Sequence, residues 1–418
     1  MKGMHVFIKD FKNRGGITVI LSSLFLKFCS LLTSIFVVRL ISKDTLGDIT
    51  FAMSVISIVT VFAGLGSNWS LLRYGALLKT YSEKFKMFRF SIINGAKFTI
   101  YLFLMVILIS FLLPQNVHNA QIYLIILAVG LFSGFLFESL LSYFRILNKN
   151  KLYSKANTYG SFLLVLLTFL LAYFFSGIGY TIAIVLAPLL SFLIYKSHVF
   201  YKKIEVDGVI SVNVKEYYKY GIYTGVGMIA NQMIISSGGM LAGFLGASNK
   251  DIAMYRVATI IPFNLMFIPL MIMTSDFVHF SKNQNSKKIL INYYLNYLKT
   301  IFMISCIPFV VFFVFNKELI ILLFGNEYSN ASTMSFYLMV AIFFSFMFRI
   351  PLGNMLSAVG KANWNVVHSI VWFFLFIPLT IVLFRLYGID GIAMSITIVI
   401  IVSGFVALIL FYKYLNSI

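Results

Sequence analysis

The stretch LSSLFLKFCSLLTSIFVV, residues 21–38, is apolar enough to enter a bilayer, yet it carries one cation, Lys27, near its centre. On insertion scales a central lysine costs roughly 2.5–3.5 kcal/mol, while each Leu, Ile, Phe or Val returns about 0.3–0.6. The segment can therefore span with its charge in place. Ser23, Ser30 and Ser34 stand at −4, +3 and +7 from Lys27, so the four residues form one stripe of a helix. A polar stripe at membrane depth is expected to face protein or water instead of lipid.

The rest of the chain is built in the same way. Of its 418 residues, 60% are hydrophobic and only 11% charged. So few charges cannot cover the surface of a water-soluble protein, and the apolar excess must face lipid. Crossing hydrocarbon takes about 20 residues. Apolar runs of that length recur at about 17–38, 50–68, 91–113, 121–141, 157–175, 179–196, 220–244, 252–274, 295–315, 332–350, 365–384 and 392–412. The expected fold class is an all-α polytopic membrane protein of about twelve transmembrane helices. The first run is too long for a cleavable signal peptide and lacks a small-residue cleavage site. Cys29 and Cys306 both fall inside spans and imply neither a disulfide framework nor a metal site.

Charge placement predicts orientation. With the N-terminus inside, internal loops and tails hold about 25 of the 33 Lys and Arg, including RYGALLKTYSEKFKMFR (73–89) and RILNKNKLYSK (145–155). External loops hold Arg39, Lys43, Lys250, Lys317 and Arg385. That asymmetry places both termini in the cytoplasm of a multi-pass protein. The net charge of +20 reflects topology and anionic headgroups, and no basic folded domain exists for nucleic acid.

The longest connection, HVFYKKIEVDGVISVNVKEYYKY (198–220), follows six spans and divides the chain into expected bundles at 1–205 and 206–418. Short matches in order support two repeats. ISKD (41–44) corresponds to SNKD (248–251), LNKNKLYSKAN (147–157) to VGKANWN (359–365), and GIGYTIA (177–183) to GIDGIA (388–393). A six-span repeat returns to its starting side, so the halves are expected to be parallel repeats. Pro262 and Pro269 predict a bent eighth span, either for packing or for gating.

No enzyme signature stands out. VGKAN lacks the first glycine and the Ser/Thr of a phosphate-binding loop, the five histidines are scattered, and 13 acidic residues leave few carboxylate pairs. The expectation is a transporter, not an enzyme, with no cofactor. Its informative residues are polar ones at membrane depth: Lys27 with its serine stripe, Asn68, Asn231 and Gln232 in span 7, and Arg256 and Asn264 in span 8. Lys97 and Glu138 lie at matching depths in spans 3 and 4, as either a structural ion pair or part of a transport path. Arg256 either lines a lumen or snorkels to the outer interface. Buried cations with few acids imply that the substrate supplies the anion, and phosphate suits both lysine and arginine.

The layout resembles the polysaccharide-unit (O-antigen, Wzx-type) flippases of the multidrug/oligosaccharidyl-lipid/polysaccharide exporter superfamily. VVRLISKDTLGDITFAMSVISIVTVFAGLGSNWSLLRYGA (37–76) and FRILNKNKLYSKANTYG (144–160) carry the likeness, which covers essentially the whole chain. The resemblance implies two bundles around a central cavity, alternating access, and a bacterial plasma-membrane location. It further implies an undecaprenyl-diphosphate-linked oligosaccharide as substrate, with a polysaccharide polymerase and chain-length regulator as partners. Superfamily lipid flippases line the cavity with cations on spans 1, 2 and 8. Lys27 and Arg256 match spans 1 and 8, while span 2 offers Asn68 and, at its inner end, Arg73. A cation-coupled multidrug antiporter of the same superfamily and a membrane-embedded polymerase remain the alternatives.

Overall fold

In the computed structural model, residues 16–117, 119–200, 213–270, 272–273, 280 and 283–418 are described, and they are nearly all helical. Ten helices among the described residues are long and apolar enough to cross a membrane. The chain divides into two compact units, residues 1–229 and 230–418. The boundary expected at 205/206 lies outside the described residues; the observed division falls further on, within a helix.

The first unit contains α1 (Gly16–Leu40), α2 (Lys43–Thr60), α3 (Ser67–Leu77), α4 (Tyr81–Ser110), α5 (Ala120–Ile146) and α6 (Asn150–Tyr195). The 46-residue α6 is two spans. In a straight helix, residues eight apart are separated by about 12 Å, yet a Cβ on Gly179 would lie 1.9 Å from the Leu171 carbonyl oxygen. The chain reverses at Ser176, whose backbone adopts φ 50°, ψ −130°. Helix α1 packs on α6, and α5 packs on α2, α3, α4 and α6. Helix α7 (Val214–Phe244) carries the division between the units.

The second unit continues with α8 (Asn249–Leu265), α9 (Lys287–Phe324), α10 (Ala331–Phe344), α11 (Ile350–Ala358), α12 (Ala362–Tyr387) and α13 (Asp390–Leu415). A five-residue π-helical turn, Ser345–Arg349, joins α10 to α11 into one span. Widening the turn frees backbone carbonyls, which lipid cannot satisfy. Tyr294 and Tyr297 of α9 supply donors instead, to the carbonyl oxygens of Met347 (3.0 Å) and Phe346 (2.9 Å). Helix regularity lapses at Met266, between Pro262 and Pro269, as expected for a bent eighth span. Counting α6 twice, α2 with α3 and α10 with α11 as single spans, the described residues make twelve crossings.

The repeat expected from scattered matches is written in the backbone. Ser42 caps α2 by accepting from the Thr45 amide (3.4 Å), and Ser248 caps α8 by accepting from the Asp251 amide (3.2 Å), 206 positions later. Asn148 and Gly360, 212 apart, both take a left-handed conformation after a helix. The next amide reaches back to the same relative carbonyl, Lys149 to Phe144 and Lys361 to Leu356. Gly388 (φ 59°, ψ −140°) reverses the chain as Ser176 does, again 212 apart. The offset thus grows from 206 to 212 between the α4/α9 and α5/α10 regions, where the second repeat gains about six residues.

Candidate functional site

The second span is broken at membrane depth. Gly64, Leu65 and Gly66 all have positive φ (64°, 53°, 70°), which separates α2 from α3. A Cβ on Gly64 would fall 2.1 Å from the Phe135 ring, and one on Gly66 would fall 2.3 Å from the Gly221 carbonyl oxygen. Both glycines are therefore needed for conformation and for close approach. Freed backbone groups find partners: the Gly64 amide donates to Thr99 Oγ1 (3.1 Å), and Ser67 Oγ donates to the Gly64 carbonyl. The buried Tyr217 hydroxyl donates to the Ser67 carbonyl oxygen (2.9 Å) and shares a hydrogen bond with Ser91 Oγ (2.6 Å). Asn68, near the start of α3, accepts from Ser139 Oγ of α5 at 2.6 Å. Its carbonyl oxygen is thus committed to the bundle.

On α1, three arcs separate cleanly. Ser22, Cys29, Thr33 and Val37 are buried, and Leu24, Phe25 and Phe28 are exposed. Between them runs the stripe Ser23, Lys27, Ser30 and Ser34, half-buried except for the buried Ser34, which donates to the Ser30 carbonyl oxygen (3.0 Å). Among the described residues no hydrogen bond or ion pair to Lys27 is formed. A membrane-depth cation with neutral neighbours is poised to take an anion.

Lys97 and Glu138 are not brought together. Gly95 of α4 meets Phe135 of α5 at its missing Cβ, so the face turned to α5 is that of Gly95. Lys97, two residues on, points roughly the opposite way. It shares an exposed stripe with Ile93, Ile100, Tyr101, Leu104 and Leu108, a surface suited to lipid. Glu138 is exposed although its neighbours Phe137, Ser139 and Leu140 are buried, and the opposing charge acting on it comes from Arg145 on its own helix. The guanidinium of Arg145 lies 5.6 Å from the centre of the Tyr153 ring.

In the second unit, Arg256 of α8 is half-buried, and its carbonyl oxygen accepts from Thr259 Oγ1 (2.7 Å). Asn264 is also half-buried and donates to the Ile260 carbonyl oxygen (2.8 Å). The side chains of Asn231 and Gln232 lie outside the described residues. Lys27 and Arg256 belong to different units.

Sequence reasoning missed Arg349. The tenth apolar run is expected to end near residue 350, which places Arg349 at a span end. Pro351 occupies the first turn of α11, where no amide donor is needed, and the span instead runs on to Ala358. Arg349 therefore lies within the bundle, donating from Nη1 to Asn365 Oδ1 (3.1 Å) and from Nη2 to Ser369 Oγ (2.6 Å). A Cβ on Gly353 would come within 3.2 Å of Nη1, so the glycine makes room for the guanidinium. His368, on the same helix as Asn365 and Ser369, is buried, and its Nε2 has no hydrogen-bond partner among the described residues. Leu352, Met355, Leu356 and Val359, apolar at helical spacing beyond the proline, were the available signal.

Twelve crossings among the described residues, in paired repeats with one span broken at GLG, define a polytopic all-helical membrane fold. The lipid II flippase MurJ in an inward closed conformation superposes with a TM-score of 0.75 at 15% identity, covering 94% of this chain and 87% of that one. An inward-facing multidrug-resistance MATE transporter gives 0.73 at 17% identity, over 94% and 95%. A superfamily transporter from Pyrococcus furiosus, whose report describes a binding pocket of reversed polarity, gives 0.67 at 18%, over 97% and 95%. No curated protein matches by sequence. The family described as "Polysaccharide biosynthesis protein" matches residues 36–333, and the chain belongs to that family.

Proposed function

We propose that the protein is a flippase of the bacterial plasma membrane, with both termini in the cytoplasm. It carries a lipid-diphosphate-linked oligosaccharide unit from the inner to the outer leaflet by alternating access, for O-antigen or capsule synthesis. Residues 1–205 and 206–418 are its repeat units. Family membership supports the polysaccharide pathway, and the half-buried, unbridged Lys27 on its serine stripe is the observation that carries the mechanism. In this reading Lys27 meets the diphosphate and Arg256 assists, while Ser23, Ser30, Ser34, Asn68, Asn231, Gln232 and Asn264 line the path. A phosphate leaving water needs a fixed cation, and a lysine lacking a carboxylate partner offers one without first breaking an ion pair.

The test is export of lipid-linked oligosaccharide in cells whose only copy is a variant. Lys27→Ala is expected to lose most export at normal expression, and Lys27→Arg to keep part of it. Full activity of Lys27→Ala would overturn the role of this cation. A cation-coupled antiporter is the second reading, favoured by the exposed acid Glu138 on an otherwise buried segment of α5. It predicts drug efflux abolished by Glu138→Gln and untouched surface polysaccharide.

A further inference from the structure

At the loop-charge-defined outer ends of α9 and α10 the second unit carries a groove of about 430 Å³, lined by Phe313, Asn316, Lys317, Glu318, Phe336 and Tyr337 among others. It occurs where the second repeat gains its extra residues. There α9 departs from helical geometry at Phe315 (φ −110°, ψ 25°), which turns the charged segment from Asn316 away from the span below. Among the described residues the first repeat has no α-helical counterpart to this segment: α4 ends at Ser110, only a 3-10 turn at Gln115–Val117 follows, and α5 begins at Ala120.

We infer that this groove binds the headgroup of a phosphoethanolamine lipid. Asn316 is buried, and its Nδ2 donates to the Ser332 carbonyl oxygen (2.7 Å), which fixes the amide orientation. Its Oδ1 is consequently an acceptor, buried with no partner among the described residues. A buried acceptor of that kind calls for a donor from a ligand. A primary ammonium supplies three donors and a charge. The neighbouring Glu318 carboxylate neutralises that charge. The rings of Phe313, Phe336 and Tyr337 also attract it, Phe313 and Phe336 standing edge to face at 5.2 Å. Lys317, one residue from the amide, matches the phosphate as a point charge.

The groove thus holds an acceptor, an anion and aromatic faces beside a cation, complementary to a zwitterion with its amine free. Toward the bilayer, Ile307, Val310, Val311 and Val314 form an exposed apolar strip suited to acyl chains. The inference depends on the orientation given by loop charges and not on which substrate is transported.

The test is native mass spectrometry of the purified full-length protein with chain-matched phosphatidylethanolamine, phosphatidylcholine and phosphatidylglycerol. Phosphatidylcholine keeps the charge without the N–H donors, and phosphatidylglycerol keeps the phosphate without the amine. Phosphatidylethanolamine is expected to be retained about fivefold or more over either lipid, in line with a charge-assisted hydrogen bond and a cation–π contact. Glu318→Gln and Lys317→Ala, both at exposed positions, should each reduce the preference, and Asn316→Leu should abolish it. Equal retention of the three lipids, a preference unchanged by Glu318→Gln, or displacement of the lipid by a neutral soluble oligosaccharide would overturn the assignment. Should Asn316→Leu fail to fold, the two surface variants still decide.

Discussion

Gly66 offers a quantitative check on the break in the second span. Three glycine-to-alanine variants separate the two demands on that residue. At Gly246 (φ 90°) a Cβ meets nothing within 4 Å, so Gly246→Ala reports left-handed strain alone, about 1–2 kcal/mol. At Gly221 the backbone is ordinary, but a Cβ lands 2.7 Å from Ser70 Oγ and 2.8 Å from the Gly66 carbonyl oxygen. Gly221→Ala therefore reports overpacking alone, about 1–3 kcal/mol. Gly66 combines φ 70° with a Cβ placed 2.3 Å from a backbone oxygen that cannot rotate aside. Gly66→Ala should then cost about 2–5 kcal/mol, close to the sum of the other two. Reversible unfolding of the purified protein in mixed micelles, followed by far-UV circular dichroism, measures all three. Equal destabilisation by Gly66→Ala and Gly246→Ala would refute the close approach of α3 to α7.

Other perturbations test neighbouring parts of the structure. Tyr217→Phe leaves the buried Ser67 carbonyl without its donor and should cost about 1–3 kcal/mol in the same unfolding assay, with no loss of expression needed. Arg349→Lys cannot reach Asn365 and Ser369 together, so its destabilisation should approach that of Arg349→Met, on the order of 1.5–3 kcal/mol. Ser42→Ala and Ser248→Ala each remove a helix cap at equivalent places in the two repeats; matching losses of about 0.5–2 kcal/mol are expected from thermal unfolding.

Much of this molecule was legible before any coordinates. Hydropathy is a property of each segment by itself, so the spans and the polar stripe of Lys27 follow from local composition and helical period. The repeat was visible at ISKD and SNKD because a helix cap requires particular side chains, whichever fold surrounds it. The GLG of residues 64–66 was visible only as a motif, since which glycine meets Phe135 and which meets Gly221 depends on the neighbouring helices.

Where sequence reasoning fell short, the missing information was which face of a helix meets which neighbour. Lys97 and Glu138 match in depth, but α4 turns Gly95 toward α5 and Lys97 away from it. Arg349 sits beside a proline that resembles a helix end, until the two tyrosines of α9 bond the widened turn and carry the span onward. The sequence by itself determined the number of crossings, the paired repeats and a cation at the centre of the first span, because these are local consequences of transfer energy and periodicity. Only the tertiary structure decided that Asn68 is held by Ser139, that Arg349 lies inside a bundle, and that Asn316 Oδ1 is buried with no hydrogen-bond partner among the described residues. Hydrogen-bond partners distant in sequence are set by packing, which no single segment encodes.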